Sequence, residues 1–153
     1  MHYKFKTKPY GHQVTALEKS WQKKVYALFM EMGTGKTKVL LDNLGALRCQ
    51  NLINGALIIA PKSVYTVWYH TEIPKHLNVE YDMLLWKSTL RDAKLRDFFE
   101  KPSIKLKLFV MNVEAFSSDK GSFWAEEFCK RHINMVVVDE STCVKNYSAK
   151  RTK

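Results

Sequence analysis

One octapeptide constrains this chain more than any other stretch: Met30-Glu31-Met32-Gly33-Thr34-Gly35-Lys36-Thr37. The apolar run 25–30 leads into it, and Leu40, Leu44 and Leu47 follow at the i, i+4, i+7 spacing of a helix. Strand, glycine-rich turn, Lys-Thr and helix form the context that distinguishes a phosphate loop from an ordinary glycine turn. Gly33 and Gly35 let backbone N–H groups turn toward a phosphate with no Cβ in the way. The start of the new helix puts the positive end of its dipole at the same point. Met32 and Thr34 complete the backbone cradle, Lys36 is placed to reach the β- and γ-phosphates, and Thr37 to put its hydroxyl on magnesium. Met30 stands where the strict pattern has its first glycine.

A second motif fits the first. Val136-Val137-Val138 ends at Asp139-Glu140. In phosphate-loop proteins a hydrophobic strand that ends in Asp supplies a carboxylate on the magnesium side. In open parallel sheets ligands gather outside the carboxyl ends of the strands. Asp139 is therefore expected beside the loop, although about a hundred residues separate them. Glu140, where the chain swings off the strand, is expected to orient and deprotonate an attacking water.

Short apolar runs alternate with helical patterns along the chain, which predicts an α/β fold: a mostly parallel sheet with helices on both faces. A first helix is predicted over 13–23 with Val14, Leu17 and Trp21 facing the core, after the Pro9–Gly11 turn. Residues 55–60 read as a strand buried on both faces, ended by Pro61. Ser63 is placed to cap a helix whose stripe is Val64, Val67, Trp68 and Thr71 and which Pro74 closes; this spacing puts Trp68 in the core. Strands follow at 81–86, 105–111 and 134–138, the second running inward from a wet edge and the third buried. Between them lie a helix capped by Ser88 or Thr89 carrying Leu95, Phe98 and Phe99, and one capped by Ser122 carrying Trp124 and Phe128.

The 153 residues suit one domain with one sizeable core. Apolar runs are strand-sized, so no membrane span is expected, and the basic N-terminus has no apolar stretch behind it to make a secretory signal. Three widely spaced cysteines, Cys49, Cys129 and Cys143, make neither a zinc pattern nor a disulfide framework and point to a reducing cytoplasm. A net charge of +10 favours a polyanionic partner such as nucleic acid.

With these motifs in view, the chain resembles the superfamily-two helicases and translocases, and within them the Swi/Snf-type motors, phage versions included. The likeness runs from about Lys8 to Lys153. Glu31-Met32-Gly33-Thr34-Gly35-Lys36-Thr37 is similar to the first motif of that group, which does not use the first glycine, with Met30 in place of its usual Asp. Pro9-Tyr10-Gly11-His12-Gln13 resembles the motif whose Gln contacts adenine, which implies that role for Gln13. Leu57 to Val64 is similar to the motif that grips the nucleic-acid backbone, implying phosphate contacts from Lys62 and Ser63; the predicted helix start there agrees. Val110-Met111-Asn112-Val113-Glu114 resembles a third strand-end motif and puts Asn112 near its polar, DNA-contacting position. Asp139-Glu140-Ser141-Thr142 resembles Asp-Glu-Ala-His with the last two residues replaced. The Lys145-Asn146 pair after it is a Swi/Snf-type feature.

The resemblance implies that the whole chain, 1–153, is the N-terminal RecA-like lobe of a phosphate-loop NTPase. Its cofactors would be ATP and magnesium and its partner DNA, duplex by analogy with the Swi/Snf-type motors. A second RecA-like lobe, absent from this sequence, would supply an arginine finger worth about 10³–10⁵ in rate. The lone lobe is therefore expected to hydrolyse ATP slowly or not at all, and a truncated sheet edge to favour self-association. Two other readings use the same residues: a small-molecule kinase, which needs an acceptor site and an arginine-bearing lid, and a non-enzymatic nucleic-acid binder acting through charge.

Overall fold

The computed structural model describes residues 3–21, 35–132 and 134–139. The expected strand at 25–30, loop residues Met32, Gly33 and Thr34, Glu140 and the basic tail lie outside them. Four strands, β1 (Gly55–Ala60), β2 (Tyr81–Leu85), β3 (Leu106–Asn112) and β4 (Asn134–Val138), form one sheet in the order β2-β3-β1-β4. Every pairing is parallel. Ala60 lies opposite Asn112, and Ile59 opposite Val138, so the carboxyl ends of the three strands are nearly level.

Successive side chains of a strand point to opposite faces, and the two faces bury different chemistry. Ala56, Ile58 and Ala60 of β1 and Leu108 and Val110 of β3 pack with Leu41 and Leu44 of α2 (Lys36–Cys49) and with Trp68, Ile73 and Leu77. Leu57, Ile59, Phe109 and Met111 point the other way. They meet Leu95 and Phe99 of α5 (Asp92–Glu100) and Trp124 and Phe128 of α6 (Asp119–Arg131). Phe99 makes edge contacts with Phe109, Trp124 and Phe128 at centroid distances of 5.2–5.6 Å. The architecture is the α/β layering expected of a RecA-like lobe.

Several local expectations are revised. The first helix, α1 (Gly11–Ser20), stops short of Lys23; Leu17 is buried as expected, but its buried companions are Gln13 and Ser20 in place of Val14 and Trp21. Around α2 the predicted single stripe is replaced by burial on most sides; Leu40 and Leu47 are only half-buried while Lys38, Asp42 and Asn43 are buried. The cause is the N-terminal segment, which crosses the helix: a Cβ on Gly45 would lie 2.3 Å from the Tyr3 ring.

Ser63 is exposed and caps nothing; the helical segment starts at α3 (Tyr65–Val67) with Val64 as N-cap. Nor does Pro74 end it. Helix continues through a π segment (Trp68–Glu72) into α4 (Ile73–His76), where Pro74 sits in the first turn. Pro has no N–H to give and its ring clashes with the carbonyl four residues back. The wider π turn, in which the Ile73 N–H reaches the Trp68 carbonyl, moves that carbonyl row aside. Val67 and Thr71 lie outside the buried stripe, and both are exposed.

Arg91, not Ser88 or Thr89, is the N-cap residue of α5, and Ser118, not Ser122, caps α6, accepting from the Gly121 N–H at 3.0 Å. β3 has no wet edge: it is interior throughout, Lys107 included. The Lys107 ammonium donates to the carbonyls of Phe98 (2.6 Å) and Phe99 (3.2 Å) and to that of Lys101, so it caps the end of α5. Its charge meets the negative end of the helix dipole there. β4 is not fully buried; it is an edge among the described strands, with Val136 and Val138 exposed.

Candidate functional site

A cavity of about 600 Å³ opens at the carboxyl edge of the sheet, beside the start of α2. That volume is within the usual range of small-molecule sites. Gly35, Lys36 and Thr37 line one side of it, Gln13 and Tyr10 another, and Asp139 and Trp68 a third. Two stretches far apart in sequence thus meet at one hollow.

The local reasons are visible in each element. Gly35 is the residue before α2 and has φ +83°, in the left-handed region that L side chains rarely adopt. It lies against Gln13, whose Nε2 is 3.5 Å from the Gly35 carbonyl oxygen. The Gln13 Oε1 accepts the Tyr10 N–H at 2.8 Å and so closes the first turn of α1. Lys36 and Thr37 occupy the first turn of α2 and are half-buried. Four residues of α2 further on begin the hydrophobic contacts that fix this helix on the sheet.

Asp139 stands one residue past β4, held by its N–H on the Ile59 carbonyl at 2.8 Å. Its Oδ2 accepts the Trp68 indole N–H at 2.8 Å. Sequence spacing places Trp68 in the core, and it is 2% exposed. Spacing alone gives no sign that its one polar atom is aimed at this carboxylate. The position of an indole in the segment that follows the Pro61 turn was the available signal.

Behind the cavity, Lys38 forms a buried ion pair with Asp42 at 2.9 Å and donates to the Thr7 carbonyl at 2.7 Å. Burial raises the Asp42 carboxyl above its ordinary range, and Lys38 partly offsets this. Thr7 Oγ1 lies 2.7 Å from His76 Nδ1, and His76 Nε2 lies 3.3 Å from Glu72. Burial lowers the His76 imidazole; Glu72 pulls it the other way. Thr7, Lys38, Glu72 and His76 all reach the cavity wall, and none was singled out from sequence.

The residues expected to touch nucleic acid lie elsewhere along the same edge. Lys62 and Ser63 are exposed on the turn after β1. The helix N-terminus expected to assist them is only three residues long before the π segment begins. Asn112, at the end of β3, is buried; its Nδ2 donates to Glu114 Oε2 at 3.2 Å, and its Oδ1 has no hydrogen-bond partner. Glu140, Met32, Gly33 and Thr34 fall outside the described residues.

The available oxygens suit a hard cation. A Thr37 hydroxyl and an Asp139 carboxylate that already accepts an N–H are donors of the kind magnesium takes, and magnesium is usually held by one or two protein oxygens plus phosphates. Among the described residues no three His, Cys, Asp or Glu gather into a metal-binding group.

A parallel sheet between two helical layers, with a cavity at its carboxyl edge beside a Gly-Lys-Thr helix start, defines the RecA-like class of α/β nucleotide-binding lobes. Residues 12–153 match the family described as SNF2-related domain, and the chain belongs to that family. A comparison with curated proteins gave no match. Domains of this family are ATPase motors that generally use ATP with magnesium and act on nucleic acid. Among the described residues no helix is long and apolar enough to cross a membrane.

Proposed function

We propose that this chain is the first motor lobe of a DNA-dependent ATPase, binding magnesium-ATP in the cavity and the DNA backbone along the adjacent strand ends. The observation that carries the reading is that Gly35-Lys36-Thr37 and Asp139 line one cavity. Lys36 would hold the β- and γ-phosphates, and Thr37 and Asp139 the magnesium, with Met32, Gly33, Thr34 and Gly35 forming the backbone cradle. Gln13 would contact adenine, and Glu140 would orient the attacking water. When bound, the cation neutralises charge on the phosphate oxygens. Lys62, Ser63 and Asn112 would contact DNA, the first two from the open turn. Duplex is the preferred form by family likeness. A second RecA-like lobe would complete the site with an arginine finger, so hydrolysis by this lobe alone is slow or absent. The chain would act inside the cell.

The test is a pair of titrations. Lys36→Ala should abolish binding of a fluorescent ATP analogue while leaving duplex affinity in place. Duplex affinity itself should fall with salt, log K dropping by about 0.9 per neutralised phosphate per log unit of salt. Unchanged nucleotide binding by Lys36→Ala would remove the ATP assignment, and a flat salt response would remove the DNA assignment.

A further inference from the structure

We infer that Trp68 is a positioning residue that couples a nucleic-acid contact on the 61–63 turn to the Asp139 carboxylate in the cavity. The inference rests on the reading above for what occupies the turn and the cavity. It goes beyond that reading by naming the physical link between them.

The link is a closed circuit of hydrogen bonds at the end of β1. The Ile59 carbonyl holds the Asp139 N–H at 2.8 Å. Two residues on, the Pro61 carbonyl accepts the N–H groups of Val64 at 2.9 Å and Tyr65 at 3.0 Å. The Trp68 N–H reaches the Val64 carbonyl at 3.1 Å, and the Trp68 indole closes the loop on Asp139 at 2.8 Å. Lys62 and Ser63 are the exposed apex of this circuit. From the apex, the path to the carboxylate runs through the Trp68 N–H on the Val64 carbonyl and the Trp68 indole on Asp139.

Three features make the link more than space-filling. A buried indole N–H needs some acceptor, and a backbone carbonyl would serve; here the acceptor is Asp139, a carboxylate that lines the cavity from the β4 end. The ring is packed among Leu41, Ile58 and Ile73 of the aliphatic face, so it follows its backbone and does not swing independently. And Trp68 is the first residue of the π segment. Such segments are where a helical ladder carries one extra residue and changes register most readily, and they recur at functional sites. The indole therefore sits at the boundary between the turn that would feel DNA and the part of the helix best able to yield.

Linkage makes the coupling reciprocal: DNA must change the affinity for magnesium-nucleotide by the same factor that magnesium-nucleotide changes the affinity for DNA. Trp68→Phe keeps an aromatic ring and removes the indole N–H that reaches Asp139. We expect it to weaken binding of a magnesium-bound fluorescent ATP analogue about fivefold or more, the low end of typical coupling. Binding of the same analogue in EDTA should be unchanged, and the DNA-dependent gain in magnesium-nucleotide affinity should be lost.

A spectroscopic readout distinguishes positioning from bulk. Of the four tryptophan indole N–H resonances, that of Trp68, assigned in the unmutated chain by through-bond correlation, should move on adding MgATP and, in a separate titration, on adding a short duplex DNA. Lys62→Ala should remove the DNA response and keep the MgATP response. A Trp68 resonance that ignores DNA, or a Trp68→Phe chain with unmutated DNA coupling, overturns the inference. Should Trp68→Phe fail to fold, the resonance in the unmutated chain decides the matter alone. Failure of the functional reading shows differently, as Lys36→Ala binding nucleotide normally.

Discussion

The Gln13 amide occupies the space that a side chain at Gly35 would need: a Cβ built there would lie 2.0 Å from Gln13 Nε2. Two motifs 22 residues apart are in contact, and glycine is required at the meeting point for both steric and backbone reasons. Gly35→Ala must place an alanine at φ +83°, a cost of about 1–2 kcal/mol, and also displace Gln13. The expected result is a chain destabilised by about 2–3 kcal/mol, measured by urea unfolding, together with loss of ATP-analogue binding. Gln13→Ala in the same background should recover part of the stability, because it removes the clashing amide.

Among the described residues, Lys38 and Asp42 form the most buried ion pair, with side chains 6% and 2% exposed. Breaking such a pair strands a charge, whereas replacing both partners does not. Lys38→Met should cost about 3–5 kcal/mol, and Lys38→Met with Asp42→Leu clearly less. A double-mutant cycle by urea unfolding checks this. The Asp42 carboxyl, already raised by burial, should rise further in the single variant.

Stability should fall on mild acidification. Burial is the largest cause of lowered imidazole pKa at both His76 and His132. At His76, Lys38 and Lys75 add to that effect and Glu72 opposes it; at His132, Lys107 and Arg131 add to it and the Phe128 carbonyl opposes it. Below the ordinary value of 6.5 the unfolded chain then binds more protons than the folded one. This contribution is present in full above that pH and is lost as pH drops through the lowered folded values. Urea midpoints at about pH 8 and about pH 5 should show the drop, and His76→Gln with His132→Gln should flatten it.

Lys107→Met tests the cap on α5. It preserves the length of the stem inside the sheet and removes the ammonium from three carbonyl oxygens. Hydrogen bonds to a charged group are worth about 1.5–3 kcal/mol, so a loss near 2–3 kcal/mol is expected. Hydrogen exchange should accelerate most at the end of α5, in the turn around Lys101.

The sequence read correctly where one force dominated. The unbroken apolar run of β1 leaves the chain no choice but an interior strand, and Gly35-Lys36-Thr37 fixes the start of α2. Misreadings came where a long-range contact outweighed a local rule. Lys107 looks like an outward residue in an alternating strand until the end of α5 is brought to it. Ser63 and Ser122 have the chemistry of caps, but hydrogen-bonded turns at Pro61 and Ser118 set the helix starts instead. Pro74 looks like a terminator because a π turn cannot be seen in a pattern of side chains. For the site, the pairing of Asp139 with the loop follows from topology alone. Its indole partner, and the Thr7–His76–Glu72 chain, depend on packing that no spacing rule encodes.

Consider last how chemistry is apportioned between the two sides of the sheet. Trp68 and the helix that carries Lys36 and Thr37 belong to the aliphatic layer, while Phe99, Phe109, Trp124 and Phe128 fill the aromatic layer behind. Substitutions on the aromatic side can therefore be made without touching the wall of the cavity. An engineer seeking somewhere to graft a reporter or an affinity handle should choose the outer surface of α6, where Phe123 is already exposed.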